Sequence, residues 1–428
     1  QVKKRKVFVG LSGGVDSAVS AALLQKAGYD VTGVFIKVWQ PDWLECNWKE
    51  ERREAMRVAA HLGIPFITLD LEKEYKEGVI DYMLAEYKAG RTPNPDVMCN
   101  REVKFGAFWR WTKSQGADYI ATGHYARIKY RNIDDADLYL REAFSPRKLG
   151  EKGSLRHASA SVNVIYQLFA GRDKNKDQSY FLWTLNQDNL AHTLFPVGHL
   201  EKTEVRKLAH KFKLPNADKK DSQGLCFIGK VDVKDFLAHY LKAEPGNVLN
   251  EEGEIIGKHQ GALFFTIGER HGFTITKKTP DDDRYYVIDK DMEQNTITVS
   301  NRIVGKDYSS SQKTIRISNI NWIAGTAPID NSIAPPLGRQ ESLEEERSDE
   351  RGRAPAARSG GANDSSSLVN TLHARSRYRQ PLQNIKIHSV NMFETIVEFK
   401  KPQDALTPGQ SLVIYNGEEC VGGGIIVE

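Results

Sequence analysis

Apolar and polar positions alternate in the first part of the chain in a way that predicts strands and helices in turn. Apolar runs typical of buried strands occupy 7–10 and 31–38. Amphipathic spacing typical of helices occupies 18–26 and 52–62. The same order continues through FITLDL and ADYIATGHY to about residue 125. Repeated units of this kind predict an α/β domain, in which a parallel sheet carries helices on both faces.

The pattern changes in the second half of the chain. KTEVRKLAHKFKL and DVKDFLAHYL have helical spacing, whereas short strand-like runs separated by turn residues follow from about residue 259. We therefore expect three domains, with bounds 1–200, 201–258 and 259–428. They are a parallel-sheet nucleotide-binding domain, a small central helical or mixed domain, and a C-terminal antiparallel β-barrel.

Two segments interrupt this pattern. Residues from about 142 to 167 are mostly polar, and residues from about 335 to 367 are rich in charge, Gly, Ser and Ala. Such compositions do not bury enough apolar surface to fold alone. We expect both segments to be surface inserts, the second of them disordered, and we assign them no chemistry.

Composition narrows the class of protein without naming an activity. The 428 residues are 40% hydrophobic and 27% charged, which is typical of a soluble protein with sizeable cores. No apolar run reaches the roughly 18–20 residues that span a bilayer, and no signal peptide is visible, so we expect a cytoplasmic protein. The net charge of +4 is too small to identify a polyanionic partner.

The four cysteines are too sparse for a disulfide scaffold and form no CxxC pair, which argues against a structural zinc site. They are Cys46, Cys99, Cys226 and Cys420. We expect Cys420 to be a packed strand residue.

A glycine-rich turn joins the first predicted strand to the first predicted helix, in VFVGLSGGVDSAVSAALL (7–24). Backbone N–H groups in such a turn point at an anion, and the helix dipole adds to their effect. Asp16 is unexpected in a phosphate site, because its carboxylate would repel phosphate unless it holds Mg²⁺ directly or through water. The alternative is a capped turn without a ligand.

The residues SGGVDS resemble the PP-loop of the ATP pyrophosphatases and lack the Gly-Lys-Ser/Thr ending of the common nucleotide loop. The resemblance implies cleavage of ATP between the α and β phosphates, with AMP transferred to an acceptor oxygen as a leaving group. The loop alone does not choose among the enzymes of this class.

Two cysteines lie in unusual loops. Cys99, in GRTPNPDVMCNREVKF, falls near the start of a predicted helix, where the dipole favours thiolate, and Asp96 precedes it as a candidate acid/base. Cys226 follows a polar loop in KKDSQGLCFIG. Each cysteine has a structural alternative: Cys99 as a small buried hydrophobe, Cys226 as a packed strand residue.

Six motifs occur in one order along nearly the whole chain outside the two inserts: GLSGGVDS, GRTPNPDVMCNREVKF, ATGHYARI, KDQSYFL, FPVGHLEKTEVRKLA and KKDSQGLCFIG. In these motifs the chain closely resembles the bacterial tRNA-uridine 2-sulfurtransferases, also called tRNA-specific 2-thiouridylases. The resemblance implies that ATP adenylates the C2 oxygen of the wobble uridine, and that sulfur then arrives as a cysteine persulfide. It implies tRNA and a persulfide-donating protein as partners, and ATP with Mg²⁺ as cofactors.

The resemblance also implies roles for individual residues. Cys99 would be the nucleophile, Cys226 the persulfide carrier and Asp96 the acid/base, and a Cys99–Cys226 disulfide would result. The implied ATP contacts are Gly10, Leu11, Ser12, Gly13, Gly14, Val15, Asp16, Ser17, Ile36 and Gly123. The implied tRNA contacts are Asn94, Pro95, Asp96, His124, Lys176, Asp177, Gln178, Arg377, Tyr378 and Gln410.

Several alternatives stay open at this point. His124 alone reads as a hydrogen-bonded structural residue, 176–178 as a solvated turn, and the ARSRYRQ cluster as an exposed strand edge. Glu269 stands where the family has Gln, which adds a negative charge near a nucleic-acid surface. The rival functions are another PP-loop adenylating ligase, which needs no cysteine pair, and a tRNA-binding protein without catalysis.

Overall fold

The computed structural model describes residues 4–44, 48–132, 141–142, 164–221, 232–276, 284–301, 312–328, 372–390 and 393–427. Cys46, Cys226, the insert predicted at 335–367 and most of the insert predicted at 142–167 lie outside the described residues. Strands run β1 Lys6–Gly10, β2 Asp30–Lys37, β3 Phe66–Asp70, β4 Tyr119–Ala121, β5 Ala126–Asn132, β6 Arg141–Glu142, β7 Val164–Ala170, β8 Thr193–Leu194, β9 Gly246–Leu249, β10 Ile255–His259, β11 Phe273–Ile275, β12 Tyr286–Asp291, β13 Thr296–Ser300, β14 Gln312–Trp322, β15 Leu372–Arg375, β16 Gln383–Val390, β17 Glu394–Gln403, β18 Ser411–Asn416 and β19 Glu419–Ile426.

Helical segments connect and cover these strands. The α-helices are Val15–Lys26, Trp48–Leu62, Glu72–Tyr75, Tyr82–Lys88, Pro95–Met98, Phe108–Ser114, Gln187–Ala191, Lys202–Lys211 and Val233–Tyr240. Wider π-type turns at Lys76–Asp81 and Cys99–Ala107 join neighbouring α-helices, and Ser179–Leu182 and Ala262–Phe264 form 3₁₀ turns. In the part of the chain described, no helix is both long and apolar enough to cross a membrane.

A five-stranded parallel sheet forms the first half of the fold, in the order β3-β2-β1-β4-β8. Side chains alternate between its two faces, so Val7 and Val9 pack in one core and Phe8 packs in the other. The helix Val15–Lys26 covers one face and buries nine of its residues. This arrangement places the carboxyl ends of β1, β2 and β4 at one edge, where open parallel sheets bind ligands.

The second half of the fold contains two further sheets. Strands β9 to β13 form a five-stranded sheet of their own, in the order β11-β10-β9-β13-β12. Strands β14-β17-β16-β15-β18-β19 are antiparallel, and the pairing of β14 with β19 closes them into a six-stranded barrel. The predicted fold class, α/β with a C-terminal antiparallel barrel, is confirmed, while the predicted domain bounds stay predictions.

The barrel is joined to the parallel-sheet half through a shared sheet edge and a shared core. Strand β19 pairs with β7 at Glu419↔Phe169 and Cys420↔Leu168, and β7 in turn pairs with β5. Tyr415 of the barrel packs in the same core as residues of the parallel-sheet half. Cys420 is fully buried on β19, as the sequence predicts.

Candidate active site

The glycine-rich loop turns tightly between β1 and the helix Val15–Lys26. Gly13 has φ +76, and a Cβ atom there would lie 2.7 Å from the carbonyl oxygen of Glu51. Only glycine fits both the conformation and the space. The hydroxyl of Ser17 donates to the carbonyl of Gly14 at 3.1 Å and accepts from the N–H of Ser12 at 3.3 Å. The loop is therefore held from within, in front of a helix N-terminus suited to an anion.

A cavity of ≈ 530 Å³ opens at the carboxyl edge of the parallel sheet, in front of this loop. Most of the predicted ATP contacts line it: Gly10, Leu11, Ser12, Gly14, Val15, Asp16, Ser17, Ile36 and Gly123. So do five of the predicted tRNA contacts: Asp96, His124, Lys176, Gln178 and Tyr378. One cavity thus brings together residues of four separate motifs.

Gly123 lies directly against the glycine-rich loop. A Cβ atom at this position would lie 2.7 Å from the backbone nitrogen of Ser17 and 3.0 Å from the Cβ of Asp16. A side chain at 123 would therefore push the loop away from the end of β4. The glycine keeps the loop closed against the sheet edge and leaves the cavity open above it.

The Asp16 carboxylate is occupied by protein groups. Both of its oxygens accept from the ammonium of Lys202 at 2.8 Å, and Oδ1 also accepts from the hydroxyl of Tyr125 at 2.8 Å. Burial, reinforced by Asp16, raises the pKa of Tyr125, so that its phenol stays a neutral donor. The Lys202 ammonium offsets the negative charge, which explains how a carboxylate is tolerated beside a phosphate loop.

This arrangement does not match a preformed Mg²⁺ site. The cation already paired with Asp16 is an ammonium, and no cluster of three or more metal-ligating side chains is present among the residues that the structure describes. Mg²⁺ is usually held by one or two carboxylates together with substrate phosphates and water. The Mg²⁺ role of Asp16 stays a prediction, and we derive no step through the metal.

Asp221 collects three cations beside the cavity. Its carboxylate pairs with Lys202 at 2.8 Å, Arg206 at 2.9 Å and Lys176 at 2.6 Å. Burial alone would raise the pKa of Asp221, but the hydrogen bonds from Lys176 and Lys202 outweigh it and lower the pKa to about 2. Because Lys202 is shared with Asp16, one ion-pair network connects the glycine-rich loop to the segment that leads along the chain towards Cys226.

The segment around Cys99 is the start of a helix, as the sequence predicts. The side chain of Asn94 caps it by accepting from the N–H of Val97 at 3.3 Å, and Pro95 follows at the first helical position. Asp96 lines the cavity, whereas Cys99 is fully buried in the core one turn further along. The thiol therefore does not face the cavity in this conformation.

His124 is a buried neutral imidazole. Its Nδ1 lies 2.7 Å from the hydroxyl of Thr122, and its ring packs against Phe105 and Phe195. Burial, helped by the positive charge of Lys104, lowers the pKa of His124 well below its usual value. The ring borders the cavity, but its packing and its hydroxyl partner match the structural alternative as well as a role beside tRNA.

The predicted tRNA contacts at 176–178 are all engaged within the protein. Lys176 pairs with Asp221, and the side-chain oxygen of Gln178 accepts from the N–H of Tyr125 at 3.0 Å. Asp177 is buried, pairs with the guanidinium of Arg375 at 2.6 Å, and accepts from two backbone N–H groups. Lys176 and Gln178 also line the cavity, while Asp177 does not.

The predicted contacts on the barrel side are engaged in a similar way. The guanidinium of Arg377 donates to the carbonyls of Ile267 and Ala405, and the Tyr378 ring packs 4.6 Å from that of Phe181. The amide of Gln410 donates to two backbone carbonyls of the segment before Asn94. Of these three predicted contacts, only Tyr378 lines the cavity.

Sequence reasoning missed four residues of this site: Tyr125, Lys202, Asp221 and Arg375. All four stand in stretches already singled out: GHYARI, HLEKTEV, KKDSQG and ARSRYRQ. Their partners are distant in the sequence, with 186 positions between Lys202 and Asp16. The signal in the sequence was Asp16: an acidic residue in a phosphate loop requires a cation near it.

Three family models together match most of the chain. The family model described as the tRNA methyl transferase HUP domain matches residues 5–230, more than half of the chain. The tRNA methyl transferase PRC-barrel domain matches 234–301, and the aminomethyltransferase beta-barrel domain matches 361–426.

Curated relatives match the whole chain. The tRNA-specific 2-thiouridylase MnmA 2 of Geobacillus kaustophilus is 40% identical over 99% of this chain and 95% of its own length. The tRNA-specific 2-thiouridylase MnmA of Francisella philomiragia is 38% identical over the full length of both chains.

Solved structures are more distant. The match to the U34-tRNA thiolase NcsA of Methanococcus maripaludis covers 56% of this chain and 65% of that one, at 17% identity and a TM-score of 0.31. The family models and the full-length relatives lead to one conclusion: this chain belongs to the family of the tRNA-specific 2-thiouridylases.

Proposed function

We propose that this protein catalyses the ATP-dependent 2-thiolation of a uridine in tRNA. The observation that carries the proposal is the shared cavity, which is lined both by the glycine-rich loop and by Asp96, from the segment that leads into Cys99. A nucleotide bound on the loop and a base placed at Asp96 would then meet in one cavity. The names of the full-length relatives supply the nature of the base and of the reaction.

In the first step, the C2 oxygen of the uridine attacks the α-phosphorus of ATP and pyrophosphate leaves. The loop residues from Gly10 to Ser17 would hold the phosphates through backbone N–H groups and the hydroxyls of Ser12 and Ser17. Ile36 would border the adenosine, and Gly123 would leave room for the nucleotide beside the loop. The carbonyl oxygen becomes part of an AMP ester and hence a good leaving group.

In the second step, sulfur replaces the adenylated oxygen. A persulfide on Cys226 either attacks C2 directly or is cleaved by the Cys99 thiolate. In the direct route AMP departs as C2 bonds to the outer sulfur, and the Cys99 thiolate then attacks the Cys226 sulfur, which releases 2-thiouridine and leaves a Cys99–Cys226 disulfide. In the other route the same disulfide forms first and releases hydrosulfide, which attacks C2 while AMP departs. The disulfide is then reduced by an external thiol, and a persulfide-bearing donor protein reloads Cys226. Asp96, which lines the cavity, would accept or supply the proton.

The fully buried Cys99 places one condition on this mechanism. A thiol with no exposed surface attacks nothing, so the start of its helix must shift before the sulfur step. Binding of tRNA is the event best placed to cause the shift, because the target base enters at Asn94, Pro95 and Asp96 in this proposal. The base has to leave its stack to reach the cavity.

Several side chains that line the cavity would give tRNA a basic and aromatic surface. Lys176 and Tyr378 border the cavity, and the Arg379 guanidinium lies 5.0 Å from the Tyr378 ring. Bases and phosphates of RNA bind such surfaces by stacking and ion pairing. Most of the affinity should come from phosphate contacts and fall as salt rises.

The proposal is tested by nucleoside analysis of tRNA from a bacterial strain that lacks its own 2-thiouridylase and expresses this chain. We expect 2-thiouridine to return with the wild-type chain and not with Cys226→Ala. A methylated nucleoside in its place would support the activity in the family-model description and contradict the proposal. If the wild-type chain binds tRNA but leaves it unmodified, the protein is a tRNA-binding protein without catalysis.

A further inference from the structure

The segment that leads into the Cys99 helix is held from outside itself. It runs from Arg91 to Pro93 and continues into Asn94, the cap of the helix. Pro93 and Pro95 have no N–H group, so this stretch has few donors with which to hold its own turn. Its carbonyls depend on donors from other parts of the chain.

Gln410 of the barrel supplies those donors. Its side-chain amide nitrogen donates to the carbonyl of Thr92 at 2.9 Å and to the carbonyl of Pro93 at 3.2 Å. An amide nitrogen carries two hydrogens, so both are in use. A contact between this nitrogen and tRNA would have to break one of these bonds.

The neighbouring turn of the barrel is shaped for the same contact. The N–H of Thr92 donates to the carbonyl of Pro408 at 2.9 Å. Gly409 has φ +92, and a Cβ atom there would lie 2.9 Å from both the nitrogen and the oxygen of Thr92. The barrel turn therefore approaches the segment as closely as backbone atoms allow, and only glycine permits it.

The part of the chain that forms strands β9 to β13 also contacts the segment, through residues of its connecting loops. The hydroxyl of Thr92 lies 3.2 Å from that of Thr266, and Gly90, at φ +77, packs against Met292. Arg377 ties Ile267 of this part to Ala405 of the barrel by two hydrogen bonds. Two other parts of the fold thus contact the few residues that precede the helix of Asp96 and Cys99.

We propose that Gln410 is a positioning residue: its amide holds the Thr92 and Pro93 carbonyls, and thereby fixes the start of the helix that carries Asp96 and Cys99. The effect on thiolation rests on the proposed function. Removal of the amide leaves two carbonyls without their donor and loosens the cap at Asn94. Asp96 and the buried Cys99 then lose their fixed positions, while the phosphate contacts that supply most of the tRNA affinity are unchanged.

The test compares Gln410→Ala with a matched variant, Gln403→Ala, in the full chain. Gln403 belongs to the same barrel, and its amide also donates to two backbone carbonyls, those of Lys401 and Pro402, but these lie on its own strand end. We expect Gln410→Ala to lower the thiolation rate at saturating tRNA tenfold or more, with a dissociation constant for tRNA within twofold of wild type. Gln403→Ala should change neither.

A second measurement does not depend on thiolation. The rate at which iodoacetamide labels Cys99, followed by mass spectrometry in a Cys226→Ala background, should rise tenfold or more in Gln410→Ala and stay unchanged in Gln403→Ala. Equal labelling rates in the two variants would overturn the proposal. A tRNA dissociation constant raised tenfold at an unchanged rate would instead make Gln410 a tRNA contact. If Gln410→Ala speeds the labelling of Cys99 but the wild-type protein makes no 2-thiouridine, the positioning role stands and only the proposed function is refuted.

Discussion

Two regions with equally specific sequence motifs differ in how their side chains are used. At the carboxyl edge of the parallel sheet, seven residues of the loop from Gly10 to Ser17 line the cavity, and the hydroxyls of Ser12 and Ser17 bond within the loop itself. Around 176–178 and on the barrel side, the motif side chains mainly bind other parts of the protein, as in the Asp177–Arg375 pair and the Gln410 contacts.

The difference teaches that a motif residue near RNA need not be an RNA contact. A phosphate loop binds through backbone groups, and its function follows from local conformation. The role of a polar side chain depends on its hydrogen-bond or ion-pair partner, and in the second region that partner comes from a distant part of the chain. The predictions below ask whether the first region performs chemistry while the second holds the machinery in place.

The largest effect is expected at the cysteine that carries sulfur. Cys226→Ala should lower the thiolation rate by about 1,000-fold or more, because the step loses its sulfur carrier. Pyrophosphate release that depends on tRNA should continue, since the phosphate loop is untouched. Measurements of 2-thiouridine and of pyrophosphate on the same samples check this.

Cys420→Ala is the matched control, because that thiol is packed inside β19, and it should retain thiolation. Loss of both pyrophosphate release and thiolation in Cys226→Ala would contradict the division between the two regions.

The next largest effect is expected at the buried ion pair of the second region. Arg375→Met leaves the Asp177 carboxylate buried without its cation, which should lower the free energy of unfolding by about 3–5 kcal/mol. Lys174→Met breaks an exposed pair with Glu418 and should cost about 1 kcal/mol or less. Urea denaturation measures both variants, and equal losses would contradict a structural role for the buried pair.

A smaller effect is expected at Lys202, which joins the two regions. Lys202→Met exposes the phosphate loop to the unneutralised Asp16 carboxylate, so pyrophosphate release should fall about 10- to 100-fold, the equivalent of one charge-assisted bond. Lys207→Met, an exposed position on the same helix, should have no effect.

The double variant Asp16→Asn with Lys202→Met should recover most of the loss, because it removes the charge as well as its partner. If instead Asp16→Asn alone raises the Mg²⁺ concentration needed for activity, and the double variant is no better, Asp16 is a metal ligand.

The smallest effect is a pH dependence from His124. Its pKa in the folded protein lies below the ordinary value because the ring is buried. As pH falls through about 6.5, the unfolded chain takes up a proton that the folded chain does not, so stability falls by up to about 1.4 kcal/mol per pH unit.

Urea denaturation at about pH 7.5 and about pH 5.5 should therefore show a smaller loss for His124→Gln than for wild type. His210→Gln, at an exposed position, should behave as wild type does. Equal losses in all three chains would show that His124 is not the group responsible.

The sequence predicted the fold class and the loop around Gly13, since both depend on local patterns of apolar spacing and glycine. It also predicted the helix start at Cys99 from its prolines and its position. It did not predict the partners of Asp16 or Asp177, because Lys202 and Arg375 are remote in sequence and their side chains carry no local signal. The pairing of the barrel strand β19 with β7 was equally beyond local patterns, although the barrel itself was predicted.

The most direct test of the account supplies Cys226→Ala with tRNA and ATP radiolabelled at the α-phosphate. The account predicts that this variant releases unlabelled pyrophosphate and transfers the label to tRNA as AMP, while it makes no 2-thiouridine. Label recovered as ADP would mean that a different phosphate bond breaks. Tritium transferred from the methyl group of S-adenosylmethionine to the tRNA by the wild-type chain would mean that the reaction is methylation, and either result would contradict the account.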